Sequence, residues 1–366
     1  MNRQRPRPRL HISHGPKKKT ESEQPPNLGY LSPDLQPCSP PTFCQETEDG
    51  TSNERFLHVG KYVVHQVTSS QDTCSAVDIA TGNEYKCKVL PLSTYRQAIS
   101  PYLATDGHPH VVGIWEIILD QTHAYVFFQR GFGDLHSYVR EKKRLRQGEA
   151  RELARQVVDA VCYCHESGLV LRDLKLRKFV FKNPERTELR LDGLEDAVVL
   201  DENDVTADTL TDKYGCPAYV SPEILCARAS GYSGRRADLW SLGVMIYTML
   251  VGRYPFHDRD PVVLFGKIRR GAYKIPDAVP ARARCLIKNL LCRDPLERLS
   301  AEEALEHPWF SKPLLNEPPS RPSHTVKGGC LDQMVPHYDC PAPGACSSAV
   351  NQAFDDVPCD LPNFVP

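Results

Sequence analysis

Apolar and polar residues alternate in short runs through the first part of the interior of the chain, and then give way to longer helical stripes. The runs Lys61-Tyr62-Val63-Val64, Ala76-Val77-Asp78-Ile79, Tyr85 to Leu90, Val111 to Leu119 and Ala124 to Phe128 are rich in β-branched and aromatic residues. They predict short antiparallel strands, with Ala80-Thr81-Gly82-Asn83 as a turn. From Glu149 to Ser167, Ala150, Leu153, Ala154, Val157, Val158, Val161 and Cys162 fall on one helical stripe. Ala237 to Val251 is apolar nearly all round, which predicts a helix buried inside a larger helical half. Strands first and helices afterwards imply an α+β fold of two lobes, a small antiparallel β-rich one and a larger helical one.

Proline marks the limits of this pattern. Nine of the 31 prolines lie in residues 1–58 and ten in 311–366, which leaves 12 for the 252 residues between. The expected organisation is a basic, Pro-rich disordered leader (1–58), one folded domain (59–310) and an acidic, Pro-rich disordered tail (311–366). The net charge of −1 is a cancellation: the first 20 residues hold seven Arg or Lys and no acid, and the last 56 hold three bases and six acids. No apolar run is long enough to span a bilayer, and no hydrophobic stretch follows the basic leader as in a secretory signal. A chain of the nucleus and cytoplasm is expected, its 14 scattered cysteines kept as thiols, without zinc and without a membrane. The leader's Arg and Lys clusters fit a nuclear-import signal or non-specific phosphate binding, and they lack the interleaved aromatics of nucleic-acid recognition. No direct nucleic-acid partner is expected.

The order of landmarks is more specific than the pattern. Lys88 closes a strand, Leu171-Arg172-Asp173-Leu174-Lys175 follows a long helix, and Ser221-Pro222-Glu223 ends a loop. Asp238-Leu239-Trp240-Ser241-Leu242-Gly243 opens the buried helix, and Arg298 and His307-Pro308-Trp309-Phe310 come after it. Across about residues 60–311 the chain resembles a protein-kinase domain. The phrases Leu171 to Phe181, Gly215 to Glu223, Leu264 to Gly271 and Asp332-Gln333-Met334-Val335-Pro336 resemble the tribbles family of pseudokinases in particular.

Set beside a kinase, the phosphoryl-transfer parts are incomplete. The stretch Val63 to Val77 has no glycine where a kinase lays backbone amides over phosphate. Lys88 matches the strand lysine that meets the α and β phosphates, but no glutamate occurs from Tyr85 to Trp115 to pair with it, so it would need another acceptor; a solvent-facing strand lysine is the alternative. The two positions that hold Mg²⁺ in kinases are Lys178 and Gly193, a cation and a residue without a carboxylate. Asp192, one position earlier, would face the other side of a strand. Asp173 and Lys175 match the catalytic base and its neighbour, and either remain as vestiges or support the loop backbone. The resemblance therefore implies no required cofactor and a catalytically impaired protein. ATP held without metal, with Lys88 and Lys178 as counter-charges, is the second reading, and a weakly active, metal-independent Ser/Thr kinase is the corresponding alternative function.

What is kept is structural. Glu223 and Arg298 match a buried kinase ion pair, and Asp238 matches the helix acid that ties down the catalytic loop. Seven acids and no base lie between Glu195 and Asp212, which reads as a self-repelling solvated loop or an acidic flap over the cleft. Lys267, Arg269 and Arg270 suit a helix C-terminus or the docking of an acidic degron.

The resemblance also implies partners. Asp332, Gln333, Val335 and Pro336 would recruit the constitutive photomorphogenic E3 ubiquitin ligase through its WD-repeat propeller. Basic leucine-zipper transcription factors would be the substrates held on the large lobe. Mitogen-activated protein kinase kinases would dock around His307, Pro308, Trp309 and Phe310, or those residues serve as lobe packing, and protein kinase B is a further signalling partner. The implied function is an adaptor that brings bound proteins to the ligase for degradation and modulates kinase signalling by binding.

Overall fold

The computed structural model describes residues 12–14, 54–67, 73–201, 208–227 and 231–311. The segment 332–336, expected to bind a ligase, and the glycine-free segment 68–72 lie outside the described residues. The chain divides into two units, Met1–Ser100 with Gly113–Arg130, and Pro101–Val112 with Gly131–Pro366.

The first unit is built on a seven-stranded sheet: β1 (Ile12–His14), β2 (Glu54–Val59), β3 (Tyr62–Val67), β4 (Thr73–Asp78), β5 (Glu84–Pro91), β6 (Glu116–Leu119) and β7 (His123–Gln129), with α1 (Tyr95–Ala104) between β5 and β6. The strand order is β1-β6-β7-β5-β4-β3-β2. All neighbours are antiparallel except β1, which joins β6 in parallel. Alternation sorts β5 into two faces. Tyr85 and Cys87 enter a core with Val59, Tyr62, Val64, Ala76, Ile118, Tyr125 and Phe127, where the Tyr62 ring stacks on Phe127 at 4.0 Å. The Tyr62 hydroxyl needs a partner in this apolar setting and donates to Glu116 at 2.7 Å.

Two expectations need correction here, and one alternative falls. The leader contributes β1 and β2, so the sheet begins before residue 59: an edge strand adds through backbone hydrogen bonds and tolerates a polar composition. The expected strand Val111 to Leu119 is only Glu116–Leu119. Val111 and Val112 turn instead to the second unit, where Val112 N–H donates to Leu191 O at 2.9 Å and Leu191 N–H to His110 O at 2.8 Å. Lys88 is not a solvent-facing lysine. It is buried, on the face of β5 opposite Tyr85 and Cys87, with its ammonium 5.8 Å from the Phe128 ring centre.

The second unit follows the helical stripes. In chain order it holds α2 (Leu135–Lys142), α3 (Gln147–Glu166), β8 (Leu169–Val170), β9 (Phe179–Phe181), β10 (Leu189–Leu191), β11 (Val198–Val199), β12 (Thr209–Leu210), α4 (Pro222–Leu225), β13 (Tyr232–Ser233), α5 (Gly234–Val251), α6 (Pro261–Arg270), α7 (Ala281–Leu290), α8 (Ala301–Leu305) and α9 (Pro308–Ser311). The helix α5 is buried along nearly its whole length. Ser233 caps its start by accepting from Arg236 N–H, and Gly252 ends it at φ +79°, where a β-carbon would collide with Lys143 O. No helix among the described residues is long and apolar enough to cross a membrane.

Glu223 and Arg298 form the expected pair. The Arg298 guanidinium, fully buried, donates to Glu223 Oε1 at 2.7 Å and Oε2 at 3.2 Å, to Cys292 O at 2.9 Å and to Arg236 O. It also lies 5.3 Å from the Trp240 ring centre. One side chain therefore ties the start of α4, the start of α5 and the segment after α7 together. Arg298→Met is expected to lower the unfolding free energy of the chain by about 3–5 kcal/mol in urea, because Glu223 would remain buried without its charge partner; a loss below about 1 kcal/mol would contradict that role.

Candidate functional site

The site is assembled by a hairpin in the second unit. Phe179 pairs with Leu191 in the β9–β10 register, and Asp192 N–H donates to Lys178 O at 2.6 Å. This brings residue 178, at the end of the single 3₁₀ turn Leu176–Lys178, beside residues 192 and 193. The loop before that turn is held by Asp238 of α5. Its buried carboxylate accepts from Leu171 N–H at 2.7 Å and Arg172 N–H at 2.9 Å, and it meets the His165 ring at 3.0 Å. Arg172 sits at φ +63°, an unusual conformation for a side-chain-bearing residue that these bonds hold in place.

At this crossing the Lys178 ammonium points inward. It donates to Asp196 Oδ2 at 2.7 Å and Gly193 O at 2.8 Å, and lies 3.9 Å from Asp173 Oδ2. Lys175 donates to the same Asp173 oxygen at 2.6 Å. The Tyr214 hydroxyl donates to the other Asp196 oxygen. Burial pushes the Asp196 carboxyl up, but the charge and hydrogen bond of Lys178 and the bond from Tyr214 outweigh it and hold the group below the usual carboxylate range. Burial and the Asp196 carboxylate both push the Tyr214 hydroxyl up. Gly193 matters as a glycine: it stands at φ +79°, and a β-carbon would come within 3.2 Å of Glu195.

The neighbouring acids are engaged as well. Tyr102 donates to Glu195 at 2.5 Å and accepts from Leu194 N–H at 3.1 Å. Asp212 pairs with Arg172, whose guanidinium also lies 4.4 Å from the Tyr214 ring centre. Asp208 accepts from Ser233 Oγ and from Arg235 N–H at 2.8 Å. The expectation of a self-repelling acidic loop fails for these four residues because Lys178, Tyr102, Arg172 and the start of α5 supply partners that spacing alone does not reveal.

A kinase fold implies ATP and Mg²⁺, and the residues present do not fit the metal. The two positions that would supply ligands offer an ammonium and a glycine carbonyl, and the ammonium takes the place between the oxygens. No group of three or more His, Cys, Asp or Glu suited to a metal occurs among the described residues. The sequence placed Lys178 and Gly193 at the centre, and the structure brings them together with Asp173 and Lys175. It missed Asp196, Tyr102 and Tyr214, whose roles depend on the fold of the loop after β10.

Elsewhere, His307, Trp309 and Phe310 are buried, and only Pro308 of that set is exposed. The Trp309 ring lies 4.9 Å from Phe310, and the Trp309 backbone N–H donates to the His307 ring at 3.2 Å. Lys267, near the C-terminus of α6, donates to His257 O at 2.8 Å and Asp258 at 2.9 Å.

Asp196→Asn is expected to cost about 1–3 kcal/mol at neutral pH by removing the counter-charge of Lys178. Because the folded carboxyl titrates below its unfolded value, its contribution is full above about pH 5 and is lost as pH falls through the lower folded value. The difference in melting temperature between wild type and variant should therefore be constant near neutrality and close on acidification. A gap that persists unchanged into strong acid would contradict this assignment.

Comparison with known proteins gives the domain and the family. Residues 63–310 match the protein kinase domain model. The chain is 49% identical to human tribbles homolog 1 over 322 residues, covering 87% of this chain and 84% of that protein. It is 48% identical to mouse tribbles homolog 2 over 306 residues (84% and 85%) and 46% identical to mouse tribbles homolog 3 over 306 residues (83% and 83%). A protein-kinase fold with an ammonium at its metal position, and this level of identity over most of the chain, place the protein in the tribbles pseudokinase family.

Proposed function

We propose that the protein is a catalytically impaired pseudokinase adaptor: its helical unit holds a substrate protein, and Asp332-Gln333-Met334-Val335-Pro336 recruits the constitutive photomorphogenic E3 ubiquitin ligase, so that the held protein is ubiquitinated and degraded. The observation that carries this reading is the seating of the Lys178 ammonium on Asp196 and the Gly193 carbonyl. Phosphoryl transfer depends on cations that neutralise charge developing on the phosphate. Here the oxygens that would hold such a cation are spent on a side chain that cannot leave. Asp173 is correspondingly bound to Lys175, which favours its support of the loop over proton abstraction. No cofactor is required on this reading.

The binding scaffold is intact by contrast. Asp238 and Arg298 hold the catalytic-loop backbone and the helical core, so the surface on which kinases hold polypeptides can be presented without chemistry. Basic leucine-zipper transcription factors are the proposed substrates. Mitogen-activated protein kinase kinases and protein kinase B are proposed partners in signalling, the former meeting the exposed Glu306 and Pro308 around a packed Trp309 and Phe310. The basic leader is proposed to divide the protein between nucleus and cytoplasm. The weakly active, metal-independent kinase reading rests on the retention of Lys88, Asp173 and Lys175; the engagement of Lys178 weighs against its use as a counter-charge for nucleotide.

Proline presets the backbone of the tail motif and lowers the entropy lost when an extended peptide binds. A peptide of residues 325–345 is expected to bind the ligase's WD-repeat propeller saturably in a fluorescence-polarisation titration, and Val335→Ala with Pro336→Ala to abolish it. Absence of binding, or binding indifferent to the double substitution, would sink the recruitment.

A further inference from the structure

Three oxygens converge on one point in the second unit, and a positive charge is already there. Asp196 Oδ2, Gly193 O and Asp173 Oδ2 lie 2.7, 2.8 and 3.9 Å from the Lys178 ammonium. Carboxylate and carbonyl oxygens are the donors that hard divalent cations take. Two of them follow β10 and the third precedes the 3₁₀ turn, so the β9–β10 register holds the set together. The Asp196 carboxylate is also oriented from behind, since Tyr214 donates to its second oxygen, the kind of outer contact that fixes a ligand. What keeps a metal out is therefore not a shortage of oxygen. It is the tethered cation, which both fills the space and repels a second positive charge at short range.

We propose that Asp173, Asp196 and the Gly193 carbonyl form a divalent-cation cradle of which Lys178 is the resident cation, so that the native chain excludes a metal by occupying the site itself. Asp196, absent from the kinase ligand pattern, is its principal anion. Mn²⁺ accepts the same donor class. Lys175, 2.6 Å from Asp173, remains nearby and keeps the affinity of an uncovered cradle modest. This inference does not depend on ligase recruitment by the tail.

The test uses Mn²⁺ alone as the probe, counted by electron paramagnetic resonance against full-length wild type, Lys178→Gln, and Lys178→Gln combined with Asp196→Asn. Wild type is expected to bind Mn²⁺ weakly at most, and Lys178→Gln to bind one Mn²⁺ per chain at least about tenfold tighter than that, the like charge having gone. Adding Asp196→Asn should return binding to the wild-type level. The proposal is overturned if Lys178→Gln binds no more tightly than wild type, or if its gain survives Asp196→Asn. Should Lys178→Gln melt early, Mn²⁺ is expected to raise its melting temperature along a saturable curve that the double variant lacks, and failure to do so is equally contradictory.

Discussion

An ammonium sheltered from water needs negative oxygen close by, and in this chain Lys178 finds it on Asp196 and the Gly193 carbonyl. With its side chain only 14% exposed, Lys178 would be left as a sheltered charge without a counter-charge if they were absent. That requirement organises the rest of the site. It draws the loop after β10 onto the 3₁₀ turn, sets the carboxylate that Tyr214 then braces, and leaves Asp173 to Lys175. A kinase brings a metal to this crossing and releases it with the nucleotide; here the positive charge is covalently attached and permanent.

The permanence explains why the surrounding frame can stay so close to a kinase's. Asp238 accepts two backbone amides of the loop that carries Asp173, and Arg298 ties three segments of the helical core through one buried guanidinium. Neither contact involves nucleotide or metal. Stranding these buried charges would cost much of the chain's stability whether or not ligands cycle through the site, so selection on a binding surface alone would retain them. The proposed adaptor role needs that surface and not the chemistry.

Much of the fold was legible because its signals are local. The stripe from Ala150 to Cys162 and the apolar run from Ala237 to Val251 became α3 and α5 within a few residues, and β5 and β7 fell where alternation put them. The failures were non-local. Val111 and Val112 look like strand residues, but Val111 N–H donates to the nearby His108 O and Val112 N–H to Leu191 O, far along the chain. The edge strand Ile12–His14 pairs through its backbone, which composition does not register. At the site, Lys178 and Gly193 could be read from their order in the kinase pattern, whereas Asp196 was one acid among seven. Nothing in its spacing distinguishes it from Asp208 or Asp212, which serve α5 and Arg172 instead. Only the folded loop separates their roles.

If the charge at the metal position is permanent, the protein should act by holding its partners together, and the loss of a tail peptide should matter more than the loss of a catalytic carboxylate. The half-lives in cells of the proposed transcription-factor substrates, compared between wild type, a deletion of residues 332–336, and Asp173→Asn, test this directly. The account predicts that the deletion lengthens those half-lives severalfold and that Asp173→Asn leaves them unchanged. The reverse, lengthening by Asp173→Asn with the deletion silent, would mean that phosphoryl transfer drives the effect and would contradict the account.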